Sequence, residues 1–214
     1  VVLEDVEEGR TARKRRAIIE AAAEVFLQHG YIGASMDQVA AKAAVSKQTV
    51  YKQFADKEHL FAEIILGRTS VLGDQLARAY ATLDDATDPL PALRDVGRQL
   101  LQSLSRPEVL QLRRLVIAEA DRFPDVSGTW WQQAFHPSLV LLGEAMERMA
   151  GRGLLRELPD PTLAAYHFAG LVMYKPMNRM MFAGSSAVTP PDELEHLADS
   201  AADVFLAAYG PRKE

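Results

Sequence analysis

Apolar residues recur along this chain at three- and four-residue spacing, and nowhere does an alternating pattern give a convincing strand. Ile18, Ala22, Val25 and Phe26 mark one face of a helix over about Thr11–His29, and Gly30 is placed to end it. Met36, Val39 and Ala40 mark a short second helix. Ser35 precedes it and Gln38 follows three residues on, the signature of a capping box. Ala43, Ala44 and Val45 then form a turn. Ser46 is placed to cap a third helix, because its hydroxyl can accept an N–H left unpaired in the first turn. In that helix Val50 and Phe54 point inward, which leaves Lys47, Gln48, Thr49, Tyr51 and Lys52 outside.

Asp56 is placed to cap a long helix running to about Thr82, with Leu60, Phe61, Ile64, Ile65, Val71 and Leu72 on its buried face. A loop follows over Asp84–Pro91, then a helix over Leu93–Ser105. Pro107 opens another, to about Arg122, since proline suits a first helical turn. Pro124 restarts the chain, Trp130, Trp131 and Phe135 cluster before Pro137, and a helix runs from Ser138 to about Arg152. Pro161 opens a helix to about Ala183, which Pro176 should kink by removing a hydrogen bond. After the turn GSSAVTPP, a last helix spans Asp192–Tyr209. The fold class is therefore all-α, with about nine helices. The expected organisation is a disordered acidic tail over 1–10, a three-helix head over 11–56 and a larger helical body over 57–214.

Two short helices joined by a tight turn, the second presenting polar residues near its N-terminal end, have the layout of a helix-turn-helix that enters the major groove of DNA. The segment VSKQTVYKQFADKEHLF resembles the recognition-helix signature of the TetR family of transcriptional repressors, and RRAIIEAAAEVFLQHGYIGASMDQVA is similar to the family's first helix and second-helix start. The resemblance covers roughly residues 12 to 62. It departs at Ala44, where glycine is common in the family; a left-handed alanine there costs about 1 kcal/mol. The resemblance implies a cytoplasmic repressor that binds a double-stranded DNA operator as a homodimer and responds to a small-molecule effector. It implies DNA contacts from Lys47, Gln48, Thr49 and Lys52, with Ser35, Ser46 and Arg15 beside them and Tyr51 and Lys57 on the phosphate backbone. It also implies a dimer interface made by the last two helices, where Phe168, Leu171, Tyr174, Leu194, Leu197, Ala201 and Phe205 recur at helical spacing.

Charge changes the picture in one respect. The net charge of −5 argues against nucleic acid, but its distribution reverses that. Residues 10–57 hold nine Lys or Arg (Arg10, Arg13, Lys14, Arg15, Arg16, Lys42, Lys47, Lys52, Lys57) against four acids (Glu20, Glu24, Asp37, Asp56), a net +5. A basic head on an acidic body is the electrostatic footprint expected of a DNA-binding domain joined to something else. The chain lacks cysteine, which excludes disulfide and thiolate chemistry. The start VVLEDVEEGR is acidic where a signal peptide needs a basic region, and Lys175, Asn178 and Arg179 interrupt the best apolar run, so no membrane span is expected.

Catalytic signatures are missing: the chain has no P-loop, no G-x-G-x-x-G, no H-E-x-x-H and no G-x-S-x-G. A single Glu-x-x-His, Glu193 with His196, falls short of the pair that a carboxylate-bridged metal site needs, so neither metal nor cofactor is expected. Candidate ligand-binding residues are the aromatic run Trp130, Trp131, Phe135 and His136. Met146, His167, Met173 and Met177 join them, because aromatic and methionine walls suit an apolar ligand. The rival reading is a helical enzyme or lipid-binding protein with a vestigial helix-turn-helix, which would have no need of exposed groove-reading side chains.

Overall fold

The computed structural model of the chain describes residues 2–183 and 189–211. Among them the elements are α1 Val2–Gly33, α2 Met36–Lys42, α3 Lys47–Gln53, α4 Lys57–Ala81, α5 Pro89–Leu104, α6 Pro107–Ala118, α7 Pro124–Trp130, α8 His136–Gly151, α9 Pro161–Phe182 and α10 Pro191–Tyr209. A 3-10 turn spans Thr82–Asp85 and a π-turn spans Trp131–Phe135. The backbone stays helical from α7 through the π-turn into α8, so the described residues form nine helices when that run is counted as one. No strand occurs among them. No helix among them is long and apolar enough to cross a membrane.

The structure departs from the sequence reading at three places. The segment 1–10, expected as a disordered tail, is helical from Val2. The loop after α4 is shorter than Asp84–Pro91, because Asp88 accepts the Leu90 N–H at 2.9 Å and starts α5 at Pro89. The last helix of that run does not begin at Ser138: α8 starts at His136, directly after the π-turn, with Pro137 in its first turn. α9 carries Pro176 inside it, as the sequence reading has it. Of the turn expected over 184–191, residues 184–188 lie outside the described residues.

Contacts divide the chain into two compact units, and not at the expected 56/57 boundary. The first unit comprises Val1–Arg68 together with Leu112–Gly128. The second comprises Thr69–Gln111 together with Thr129–Glu214.

The first unit is built on Ile18, Ala22, Val25 and Phe26 of α1, Met36 and Val39 of α2, Val50 of α3, and Leu60, Phe61, Ile64 and Ile65 of α4, all buried. Phe123, far along the chain, is buried with them. Its ring lies 4.5 Å from Tyr31 and 6.0 Å from Phe61, and Phe26 stands 5.8 Å from Tyr31 and 5.5 Å from Phe61. Each such ring pair adds about 0.5–1.5 kcal/mol beyond the area it buries. That contribution explains why Leu112–Gly128 belongs with the head. α1 breaks at Gly30, whose φ of 68° and ψ of 174° suit only a residue without a Cβ.

In the second unit α5, α8, α9 and α10 pack around Leu93, Val96, Leu100, Leu142, Met146, Phe168, Val172 and Phe205. α8 and α9 approach closely where Gly143 faces Pro161: a Cβ on Gly143 would sit 2.8 Å from the Pro161 carbonyl oxygen. Arg98 bridges to Asp199 at 2.7 Å and Arg94 to Asp203 at 2.9 Å, tying α5 to α10. These pairs are partly solvated and contribute about 0–1 kcal/mol each.

The α2–α3 turn carries the strain anticipated from sequence. Ala44 has φ 54°. Its N–H donates to Ala41 O at 3.2 Å and the Val45 N–H donates to Ala40 O at 3.1 Å, the two bonds of a Schellman motif with Ala44 at the left-handed position. Ala44→Gly removes that strain, partly offset by the greater freedom of glycine in the unfolded chain. The substitution should raise the unfolding free energy by about 1 kcal/mol in denaturant titration; a lower value would show that the turn is not strained.

Candidate nucleic-acid interface

Local hydrogen bonds shape the interface before any tertiary contact does. The Ser35 hydroxyl accepts the Gln38 N–H at 3.2 Å, and Gln38 Oε1 accepts the Ser35 N–H at 2.8 Å. This reciprocal cap starts α2. Ser46 Oγ accepts the Thr49 N–H at 3.1 Å and starts α3, while the Thr49 hydroxyl lies 2.8 Å from it. Caps of this kind stabilise a helix start by about 1 kcal/mol. Asp56 Oδ1 accepts the His59 N–H at 2.8 Å and starts α4. These hydrogen bonds hold the Asp56 carboxyl below its ordinary range, and the Asp56 partner holds the His59 imidazole above its own.

Val50 and Phe54 anchor the inner face of α3, both buried. On the outer face Lys47, Gln48, Tyr51 and Lys52 are exposed and Thr49 is half-buried. Lys47 pairs with Asp37 at 2.7 Å, and its ammonium lies 6.0 Å from the Tyr51 ring centre. The hydrogen bond to Asp37 raises the Lys47 ammonium above its ordinary pKa. Tyr51 is 45% exposed. Gln48 and Lys52 lack a side-chain hydrogen bond or ion pair among the described residues.

Two expected DNA contacts have partners within the head. The Lys57 ammonium donates to the Tyr31 carbonyl at 2.8 Å and to the Ala34 carbonyl at 2.9 Å, and it lies 4.4 Å above the Tyr31 ring. Burial pushes it below the usual lysine range, the nearby Arg122 adds to that, and Glu119 opposes it. Two of its three donors are thus used inside the head, where they satisfy carbonyls that the break in α1 leaves over. Arg15 is similarly engaged: its guanidinium pairs with Glu63 and lies 5.1 Å over the Phe54 ring. Sequence reasoning missed both because the partners are remote in sequence. It also missed Arg122, whose guanidinium lies 5.4 Å from the Tyr31 ring.

The second unit separates the expected ligand residues. Trp130 stacks on Phe135 at 5.9 Å and Trp131 on His136 at 6.2 Å. His136 Nδ1 meets the Tyr166 hydroxyl at 3.1 Å, which brings α9 into this cluster. Met146 and Met173 are instead buried in the core, and Met177 packs against it. His167 lies elsewhere, with Nδ1 2.5 Å from the Tyr209 hydroxyl, in an open groove of about 730 Å³ along α9 and α10.

The expected interface residues divide in the same way. Phe168, Ala201 and Phe205 are buried within the unit, and Leu194 and Leu197 pack against its core. Their regular spacing marks the face that α9 and α10 turn toward α5 and α8. Leu171 and Tyr174 do point outward, 41% and 75% exposed, and Val204 joins them at 51%.

A capped recognition helix with solvent-facing polar residues, in a basic three-helix head followed by a helical body, defines a helix-turn-helix DNA-binding protein. The model of the bacterial regulatory proteins of the tetR family matches residues 18–64. That of the AefR-like transcriptional repressor C-terminal domain matches residues 91–211. The chain belongs to the TetR family of bacterial transcriptional regulators. Among solved structures it is similar to a TetR-family transcriptional regulator from Mesorhizobium loti MAFF303099, 41% identical over 94% of this chain and 98% of that one, with a TM-score of 0.88. It is also similar to the flavonoid-responsive regulator FrrA, 28% identical over 94% of this chain and all of that one, with a TM-score of 0.72. The HTH-type transcriptional regulator YhgD of Bacillus subtilis is 36% identical over 107 residues, 50% of this chain. The chain spans about half the length of that curated relative, 52%.

Lys57→Ala should lower the unfolding free energy by about 2 kcal/mol, because it leaves two carbonyls without a charged donor in a partly buried site. Thermal or denaturant unfolding checks this. A change within error would return Lys57 to a solvent-facing role.

Proposed function

We propose that this chain is a transcriptional repressor that binds a palindromic operator as a homodimer and leaves it when an apolar small molecule binds. The observation that carries the reading is the outer face of α3, with Gln48 and Lys52 unpaired among the described residues, beside Lys47, Thr49 and Tyr51 on a helix whose start is fixed by Ser46. Side chains held on a rigid helix but without internal partners suit an external one. Gln48 is proposed to read a base edge, Lys47 and Thr49 to assist it, and Lys52 and Tyr51 to meet phosphates. Ser35 and Ser46 lie at helix N-termini, where backbone N–H groups favour an anion. Lys57 and Arg15 are assigned to positioning the head rather than to contacting DNA.

Dimerisation is proposed through the outward face of α9 and α10, with Leu171, Tyr174 and Val204 at its centre. Twofold symmetry matches half-sites one helical turn apart. The effector is proposed to be a planar apolar molecule received by the cluster Trp130, Trp131, Phe135 and His136 with Tyr166. The relative FrrA is named as flavonoid-responsive, which supports an aromatic effector here. Operator binding places the chain in the cytoplasm, and the reading gives it no catalytic step.

The test is selection of bound duplexes from a random pool by the purified protein. The expected product is a palindrome with two half-sites. Gln48→Ala should relax one symmetric pair of positions, with about 1–3 kcal/mol of discrimination lost there. Recovery of unrelated duplexes would contradict operator recognition, and an unchanged palindrome with Gln48→Ala would remove Gln48 from the reading face.

A further inference from the structure

An ion pair joins the two helices of the helix-turn-helix. Asp37 lies in the first turn of α2 and Lys47 is the first residue of α3. Asp37 Oδ1 stands 2.7 Å from the Lys47 ammonium, and the two side chains are 64% and 59% exposed. Pairs this exposed contribute little to stability. Met36, Val39 and Val50, all buried, hold α2 and α3 in place without it.

The pair lies beside the face that carries Gln48, Tyr51 and Lys52. A carboxylate near a polyanion is unfavourable taken alone. What sets Asp37 apart is the ammonium it holds. That ammonium also lies 6.0 Å from the ring centre of Tyr51, one turn further along α3. The hydrogen bond to Asp37 raises Lys47 above the ordinary lysine range, so it stays charged. Lys52, on the same helix, has no carboxylate partner among the described residues.

An ammonium has three donors and no acceptor. With one donor on Asp37, the others can meet a base-edge acceptor such as guanine O6 or N7 while the pair stays intact. A phosphate makes a different demand. It takes Lys47 as a counter-charge only by displacing Asp37, and the freed carboxylate then faces the phosphates. While Asp37 holds it, Lys47 brings no net cation to a duplex of arbitrary sequence.

We propose that Asp37 is a specificity-determining positioning residue, which holds Lys47 for a base edge and keeps it off phosphates. This inference rests on the DNA-binding reading above. Its consequence is weaker binding to duplexes in general and a larger preference for the operator.

The test is a salt titration of DNA affinity with the full-length protein and two duplexes of equal length, the palindrome recovered by selection and a scrambled version of it. Asp37→Asn releases Lys47 to phosphate. The salt slope on the scrambled duplex should steepen by about 0.9, and its affinity should rise about eight-fold near 0.1 M salt. The palindrome should gain less, so the preference for it falls. In the Lys47→Gln background Asp37→Asn should leave the slope unchanged, because no ammonium is there to release. Asp37→Glu keeps the pair and should keep the parent slope.

A merely structural role has the opposite sign, since fraying of α2 weakens binding to both duplexes. An unchanged or shallower slope for Asp37→Asn overturns the inference. So does an equal steepening in the Lys47→Gln background, because independent sites give additive effects and the carboxylate would then act by its own charge. A parent protein that recovers no palindrome overturns the DNA-binding reading along with the inference. A parent that recovers one, with either of those slope results, overturns the role of Asp37 alone.

Discussion

The head depends on one ammonium group. Lys57 stands at the first position of α4 and donates to the carbonyls of Tyr31 and Ala34, just past the break in α1. Those two contacts fix the end of one long helix against the start of another. α2, its turn and α3 lie between them in sequence, so the recognition helix is held by what flanks it as well as by its own short core. The carbonyls need a donor because the break at Gly30 interrupts the helical ladder. The ammonium tolerates partial burial because the Tyr31 ring face offers it a second favourable surface. Phe26, Phe61 and Phe123 close around the same ring.

That arrangement makes the head discontinuous in sequence. Leu112–Gly128 belongs to it by contact, although it follows α5 of the second unit. A change at Phe123 or Arg122 therefore acts on the unit that carries α3.

What the sequence made legible was local. Ser35 with Gln38, Ser46 and Asp56 were readable as caps because their partners lie within three residues. Ala44 was readable as a strained turn residue because the family resemblance has glycine at that position, and its φ is 54°. The outer face of α3 followed from Val50 and Phe54 alone. Long-range partners were not readable. Nothing near Lys57 in sequence announces the Tyr31 carbonyl, and nothing near Arg15 announces Glu63 or the Phe54 ring. The spacing of Phe168, Ala201 and Phe205 showed a buried face but could not say whether a neighbouring helix or a second copy covers it; α5 and α8 do. The candidate ligand residues were scattered for the same reason, since a methionine in the core and one in a pocket share the same helical pattern.

The central claim is that α3 meets DNA and that the residues holding it include Leu112–Gly128. Hydrogen exchange of the backbone amides, with and without the selected duplex, tests both parts at once. The account predicts slower exchange over Ser46–Gln53 and over Leu112–Gly128 when DNA is bound. Bound DNA that leaves the amides of Ser46–Gln53 exchanging as in the free protein would contradict it.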